Sequence, residues 1–320
     1  MDTHYDARVA AGGSASTDPA ARRIAIYRWL TLTLAVAVYL LAILGSWVRV
    51  NGAGMTCPDW PTCRGVWLPN LHGPVFLEWF HRLIAGPIVG TLTLVVAFLA
   101  WRNRRELPKA WMAFWAVVFF LILQIALGGV TIFASNDPPS VTAHWTCGML
   151  LFGSLIALAI LAWGPTAAEQ PSQAGSSATP WLWLAAIAAL LTTGMGAYVS
   201  SSGFGLTCAG FPSCDGHWFG LPWPQGAQMT HRALAYAVFF FAVAAVVATH
   251  RTQRRDLRAI SLAALALVAL QILLGVANVI GQLPMPLRES HAANAALLYA
   301  TYVVLLVRSA FLPQAGARRA

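Results

Sequence analysis

The sequence predicts an all-α membrane protein with eight transmembrane helices, laid out as two tandem four-helix bundles related by a pseudo-twofold axis. Three observations predict it. The chain of 320 residues is 58% hydrophobic and only 10% charged, with a mean hydropathy of +0.64, a balance outside the range of soluble domains of this size. It holds eight runs of about 20 apolar residues with few charges, the length that crosses a bilayer. The last four of these runs repeat the landmarks of the first four in the same order.

Residues 1–28 are small, polar and aperiodic, include Asp2, Asp6 and Asp18, and match neither a cleavable signal peptide nor a transit peptide. They are expected to form a disordered cytoplasmic tail. Apolar runs at 30–50, 75–100, 110–133 and 141–163 make the N-terminal bundle, residues 29–163. The stretch "GPTAAEQPSQAGSSATP", residues 164–180, has the composition of a linker. Runs at 181–200, 228–249, 259–280 and 290–307 make the C-terminal bundle, residues 181–308, and residues 309–320 a second cytoplasmic tail. The runs are expected to be helical because backbone in lipid must satisfy its own hydrogen bonds.

The formal net charge is +9. With both ends on one side, every Lys and Arg except Arg49, Arg64, Arg82, Arg232 and Arg288 falls in the N-terminal tail, the loops "WRNRRELPK" and "RTQRRDLR", or the C-terminal end of the chain. By the positive-inside rule these segments face the cytoplasm, so both termini are expected inside. The basic excess is therefore a topology signal, and the expected partner is a lipid bilayer, with no nucleic acid.

The repeat is legible residue by residue. "GSWVRVNGAGMTCPDWPTCRG" from Gly45 matches "GAYVSSSGFGLTCAGFPSCDG" from Gly196, an offset of 151. His81 and Arg82 match His231 and Arg232 at an offset of 150, and "LQIALGGV" with His144 matches "LQILLGVA" with His291 at 147. Because each unit has an even number of helices, both cross in the same sense and the axis stands along the membrane normal. Duplicated transporters share this property, so the repeat alone gives no function.

The function lies in the polar residues that both halves keep. His81, His144, His231 and His291 fall in the first turns of the second, fourth, sixth and eighth helices, near the outer face. Histidine in a membrane helix is costly unless it faces protein or a cofactor. Neutral imidazole binds iron, copper and zinc, and bundle cores hold cofactors between facing helices. A hydrolytic zinc site recruits a third protein ligand, and neither half offers one beside its pair. Haem iron needs only axial ligands, so two histidines per half read as one haem per half. Arg82 and Arg232 follow a histidine directly and Arg288 precedes His291 by three, which suits guanidinium pairing with haem propionates; interfacial snorkelling explains any one of them as well.

These residues resemble the haem A synthase family over nearly all eight helices. The resemblance is carried by "VRVNGAGMTCPDWPTCRG", "EWFHR" (Glu78 to Arg82), "AHWTCGMLLF" around His144, "SGFGLTCAGFPSCDG", "THR" at Thr230 to Arg232 and "ESHAANAALL" around His291. It implies an oxidoreductase of the bacterial plasma membrane that oxidises a ring methyl of haem O to the formyl of haem A for terminal oxidases. It implies further that His81 and His144, with Arg82, hold haem O as substrate, and that His231 and His291, with Arg232 and Arg288, hold a permanent haem b. A haem O synthase and an electron donor are the implied protein partners.

One asymmetry supports this division. Glu78 lies three residues before His81, on the same helical face, where the second half has Gln228. A carboxylate moves protons or stabilises positive charge and an amide does not, so the chemistry is expected in the first half, with Glu78 catalytic. Glu78 would also be well placed against the helix dipole. Two other readings share the histidines: a di-haem b cytochrome that relays electrons, and a haem transporter or chaperone.

Four of the five cysteines lie in two loops expected to face outside, where disulfides persist. Pairing Cys57 with Cys63 and Cys208 with Cys214 would contribute roughly 2 kcal/mol per loop in the chain-entropy model and hold each loop over a haem mouth. The resemblance leaves redox cycling of Cys57 and Cys63 open, and a zinc site built from all four thiolates is a third reading. Cys147 is expected to pack as a small apolar residue. His4, His72, His217 and His250 are assigned no role.

Overall fold

The computed structural model of the chain describes residues 18–165, 177–252 and 254–312. Within them are eight helices long and apolar enough to cross a membrane: α1 (Pro19–Val50), α2 (Pro74–Arg102), α3 (Pro108–Phe133), α4 (Pro138–Ala162), α5 (Thr179–Ser201), α6 (Trp223–His250), α7 (Arg255–Ile280) and α8 (Met285–Phe311). All eight apolar runs are found as helices. Proline at the first or second position starts α1 to α6 and α8, where its missing N–H costs nothing and its fixed φ favours the helix. Ile84–Ile88 of α2 form a π turn around Pro87, the local widening by which a helix accommodates an interior proline.

The expected tail at 1–28 is corrected over its last ten residues. Asp18 caps α1 by accepting from the Ala20 N–H at 2.9 Å, and Pro19 opens the helix. Tyr27 is fully buried, and Arg23 reaches Asn103 and Glu106 on the α2–α3 connection, each at 2.8 Å. Burial and ion pairing thus extend α1 well past its apolar run, which is all that hydropathy registers. Residues 1–17 of that tail, 166–176 of the linker and 313–320 of the C-terminal tail lie outside the described residues. The linker gives way to α5 at Thr179, and α8 continues through Phe311.

The packing maps onto itself when the halves are exchanged. α4 and α8 touch each other, α1 packs on α4 as α5 packs on α8, and α5 packs on α4 as α1 packs on α8. Small residues permit the close approach: a Cβ on Gly153 of α4 would lie 2.7 Å from the Tyr299 hydroxyl of α8, and one on Gly194 of α5 would lie 2.9 Å from Thr146 Oγ1 of α4. Arg49 of α1 donates to Ser200 Oγ of α5 at 2.7 Å. These positions differ by 151, so a residue bonds its own counterpart, as happens beside a twofold axis. Turns repeat too: Ser135 and Asn136 have φ of 53° and 54°, and Gln282 and Leu283, 147 residues on, both have 59°. Large apolar side chains such as Leu94, Met112, Phe133, Leu273 and Ile280 are exposed on the outer helix faces, the surface that lipid covers.

Candidate functional site

His81, His144, His231 and His291 are the eighth, seventh, ninth and seventh residues of α2, α4, α6 and α8. They therefore lie in the second or third turn rather than the first, roughly 10 Å from the helix starts at 1.5 Å per residue. The His231 and His291 rings face each other with centroids 6.4 Å apart and planes at 68°. A metal held about 2 Å from a nitrogen of each ring puts the centroids roughly 6 Å apart, so this pair fits a shared iron. His81 and His144 are close enough for their charges to interact.

Each histidine rests against a glycine of a neighbouring helix. A Cβ added to Gly45 of α1 would lie 3.0 Å from His81 Nε2, and one on Gly128 of α3 would lie 3.4 Å from His144 Cε1. In the second half a Cβ on Gly196 of α5 would lie 2.9 Å from His231 Cε1, and one on Gly275 of α7 would lie 3.2 Å from His291 Cε1. Three glycines lie close to the histidines or their repeats in sequence, Gly86, Gly148 and Gly275. Of these, only Gly275 touches a histidine, Gly148 lies against Gln124, and Gly86 has open space beside it.

The partners of the ring nitrogens bear on ligand chemistry. His231 donates from Nδ1 to the Thr192 carbonyl at 3.1 Å, which leaves the Nε2 lone pair for a metal. His144 Nε2 lies 3.2 Å from the Gln124 amide nitrogen, and His291 Nε2 lies 3.1 Å from that of Gln271. Nδ1 of His144 and of His291 is buried without a hydrogen-bond partner among the described residues, as expected of imidazoles lining a place for another group. No group of three or more His, Cys, Asp or Glu side chains converges among the described residues. The pairs therefore suit a metal that brings its remaining ligands with it, as haem iron does.

Above each histidine pair lies a loop closed by a disulfide, Cys57–Cys63 or Cys208–Cys214. Both loops are tied to the helix below by the same set of bonds. Glu78 Oε2 accepts from Thr56 Oγ1 at 2.9 Å and from the Cys57 N–H at 2.8 Å. Gln228 Oε1 accepts from Thr207 Oγ1 at 3.0 Å and from the Cys208 N–H at 2.7 Å. Arg82 donates to the carbonyls of Asp59, Thr62 and Cys57, and Arg232 to those of Gly210, Ser213 and Cys208. The sequence expected these two arginines to pair with haem propionates; in the structure their terminal guanidinium nitrogens donate to loop carbonyls, and three convergent carbonyls at a tight loop suit a forked cation.

What distinguishes the halves is charge. Arg82 also pairs with Glu78 Oε1 at 2.6 Å, whereas Gln228 spends its amide nitrogen on the Gly205 carbonyl at 2.8 Å. In the first loop Asp59 accepts from the Thr62 hydroxyl, the Arg64 N–H and the Gly65 N–H. Those bonds, led by Thr62, hold its carboxyl at about 2. Arg288 and Arg49 stand within the field of Glu289. Glu289 accepts from Ser46 Oγ at 3.1 Å, and its second oxygen is buried without a partner among the described residues. Sequence reasoning missed Glu289, Gln124, Gln271 and Asn294. The two glutamines carried a signal, since each sits in the repeated "LQI".

The family model described as cytochrome oxidase assembly protein, COX15-CtaA, matches residues 71–303. A relative in Symbiobacterium thermophilum, called heme A synthase, is 30% identical over 77% of this chain and 84% of its own length. Proteins of the same name in Bacillus licheniformis and Shewanella oneidensis are each 27% identical, over 87% of this chain and 95% and 94% of their own lengths.

Proposed function

The chain belongs to the cytochrome oxidase assembly protein family, and on that premise we propose that it is a haem A synthase, a multi-pass membrane oxidoreductase that converts a ring methyl of haem O to the formyl of haem A. The observation that carries this reading is that the family match from 71 to 303 runs through all four histidines and Glu78. It favours an enzyme over an electron-relaying cytochrome or a haem transporter.

His81 and His144 would hold the substrate haem O, and His231 and His291 a resident haem b that supplies one-electron redox chemistry. Turning a methyl into a formyl removes two hydrogens from carbon, adds one oxygen atom and withdraws four electrons, so the step needs an external oxidant for the electrons and an acceptor for the released protons. Glu78 is the carboxylate assigned that role, with Arg82 balancing its charge. Its counterpart Gln228 has the same loop contacts and no proton chemistry. With Arg82 and Arg232 committed to the loops, Arg288 is left as the cation for a propionate. Cys208–Cys214 pins its loop, while Cys57–Cys63, bonded through its backbone to Glu78, is also open to exchange with an external thiol partner.

The basic loops and helix ends assign both termini to the cytoplasm and the histidines to the outer part of a bacterial plasma membrane. A haem O synthase would deliver substrate, and an electron donor would complete turnover. The test is expression of the chain in cells that make haem O but no haem A. Haem A in the extracted pigments is expected, and its absence despite membrane-inserted protein would reject the enzyme reading.

A further inference from the structure

The two disulfide loops are tied down alike, but the helices beneath them differ. In the second half Tyr236 stands four residues after Arg232, on the face of α6 that carries the loop. Its hydroxyl donates to the Pro212 carbonyl at 2.9 Å, and its ring centroid lies 6.4 Å from that of Trp218. Tyr236 therefore fills the space under the loop. Gly86 stands four residues after Arg82, at the matching place on α2. Nothing lies within 4 Å of a Cβ added to it. Trp67, the counterpart of Trp218, is left 74% exposed against 47%.

The gap runs across to α3. Trp60 at the loop tip packs on that helix, where a Cβ on Gly129 would lie 3.4 Å from Trp60 Cδ2. One turn deeper on the same face is Ile125, which is 48% exposed, whereas its counterpart Ile272 is half-buried against the core. α6 and α7 pack together along more of their length than α2 and α3 do. The backbone differs at the same place. Burial recurs at Val89, Thr93, Val96 and Ala100 of α2 and at Val238, Ala242, Ala245 and Thr249 of α6, an offset of 149 where the histidines above stand at 150. One extra residue thus enters α2 beneath the loop, and the π turn Ile84–Ile88 takes it up.

The loop blocks the outer route in both halves, since Arg82 and Arg232 each bind it to the helix below through three carbonyls. Gly86 lies five residues beyond His81, roughly 7 Å along the axis, so the gap adjoins the first histidine pair. Ile88 beside it is exposed on the apolar surface, so the gap opens toward lipid. We propose that the gap between Trp60, Gly86 and Ile125 is a lateral passage by which a lipid-soluble haem moves between the bilayer and the first-half histidines, and that Tyr236 closes the same passage in the second half. This rests on the haem reading above. A group that must arrive as substrate and leave as product crosses an open wall, and a resident group stays behind a closed one. Such a passage sets rates of entry and exit together and leaves the equilibrium affinity to the imidazoles.

The experiment uses the full chain in lipid nanodiscs. Loading is followed by the low-spin haem spectrum after mixing with vesicles that carry haem b, and release by transfer to excess apomyoglobin. The first half is read in a His231→Ala background and the second in a His81→Ala background. Gly86→Tyr is expected to slow both loading and release of the first half on the order of tenfold or more, with haem content at equilibrium unchanged, a combination that a damaged site would not give. Tyr236→Gly is expected to speed release from the second half on the order of tenfold or more. Tyr236→Phe, which keeps the ring and loses only the hydroxyl, should release at close to the wild-type rate. Wild-type rates in Gly86→Tyr or in Tyr236→Gly overturn the passage, and Tyr236→Gly decides alone if Gly86→Tyr does not insert. If bound haem is indifferent to both His81→Ala and His231→Ala, the haem reading has failed and the passage fails with it.

Discussion

Glu78 accepts the Cys57 N–H on one carboxylate oxygen at 2.8 Å and the Arg82 guanidinium on the other at 2.6 Å. Gln228 takes the corresponding Cys208 N–H at 2.7 Å with an amide. The second half thus demonstrates that glutamine supports this loop. Glu78→Gln is therefore expected to keep the fold and the Cys57–Cys63 disulfide while haem A production falls on the order of 100-fold or more, the scale of a lost acid–base group. The measurement is haem A extracted per unit of membrane-inserted protein. Full activity in Glu78→Gln would reduce Glu78 to a loop anchor.

The 6.4 Å separation of the His231 and His291 rings suits one metal between them, and on the proposed division of roles the resident haem is held by the second half. Purified protein is expected to show a low-spin haem b spectrum that vanishes in His231→Ala and in His291→Ala and survives in His81→Ala. A spectrum that survives all three changes would remove the haem assignment.

The carboxyl of Asp59 is held at about 2, first by the Thr62 hydroxyl and then by the Gly65 N–H, against about 3.9 in an unfolded chain. A depressed carboxyl gives stabilisation that is complete above the unfolded value and is lost as pH falls through the folded one. The loop should keep this support from neutrality down to about pH 4 and lose it between about 4 and 2. Pepsin cleavage within the loop, taken as the ratio of wild type to Asp59→Asn at each pH, is expected to stay low at pH 4 and approach unity near pH 2. A ratio that does not change with pH would show that these hydrogen bonds contribute nothing to the order of the loop.

The membrane class, the eight helices and the histidine pairs were legible because each leaves a one-dimensional mark: a long apolar run, a repeated phrase, a polar residue where lipid would exclude it. The start of α1 was not, since it depends on Asp18, on burial of Tyr27 and on Arg23 meeting Glu106, none of which raises hydropathy. The loop contacts of Arg82 and Arg232 were not legible for a related reason. Adjacency to a histidine suggested a shared ligand, but successive residues on a helix project about 100° apart, and the guanidiniums turn back to the loops. Gln271, Asn294 and Glu289 escaped notice because what marks them is an unpaired or doubly used atom in space, which sequence spacing does not encode.

The glycines beside the histidines give the last prediction. A methyl group on Gly196 would meet His231 Cε1 at 2.9 Å, closer than such contacts allow, whereas nothing lies within 4 Å of one on Gly90. His231 has little room to retreat, because its Nδ1 is bonded to the Thr192 carbonyl on the same helix as Gly196. Gly196→Ala should therefore rotate the imidazole off that bond, at a cost of about 1–3 kcal/mol for overpacking, and lower the haem b content of the purified protein. Gly90→Ala, in a helix interior with space around it, should be neutral or slightly stabilising through helix propensity. Haem content and thermal unfolding of the two variants side by side make the comparison. Equal haem content in both would mean that the α5–α6 contact tolerates a side chain and that the close approach at Gly196 does not position the ligand.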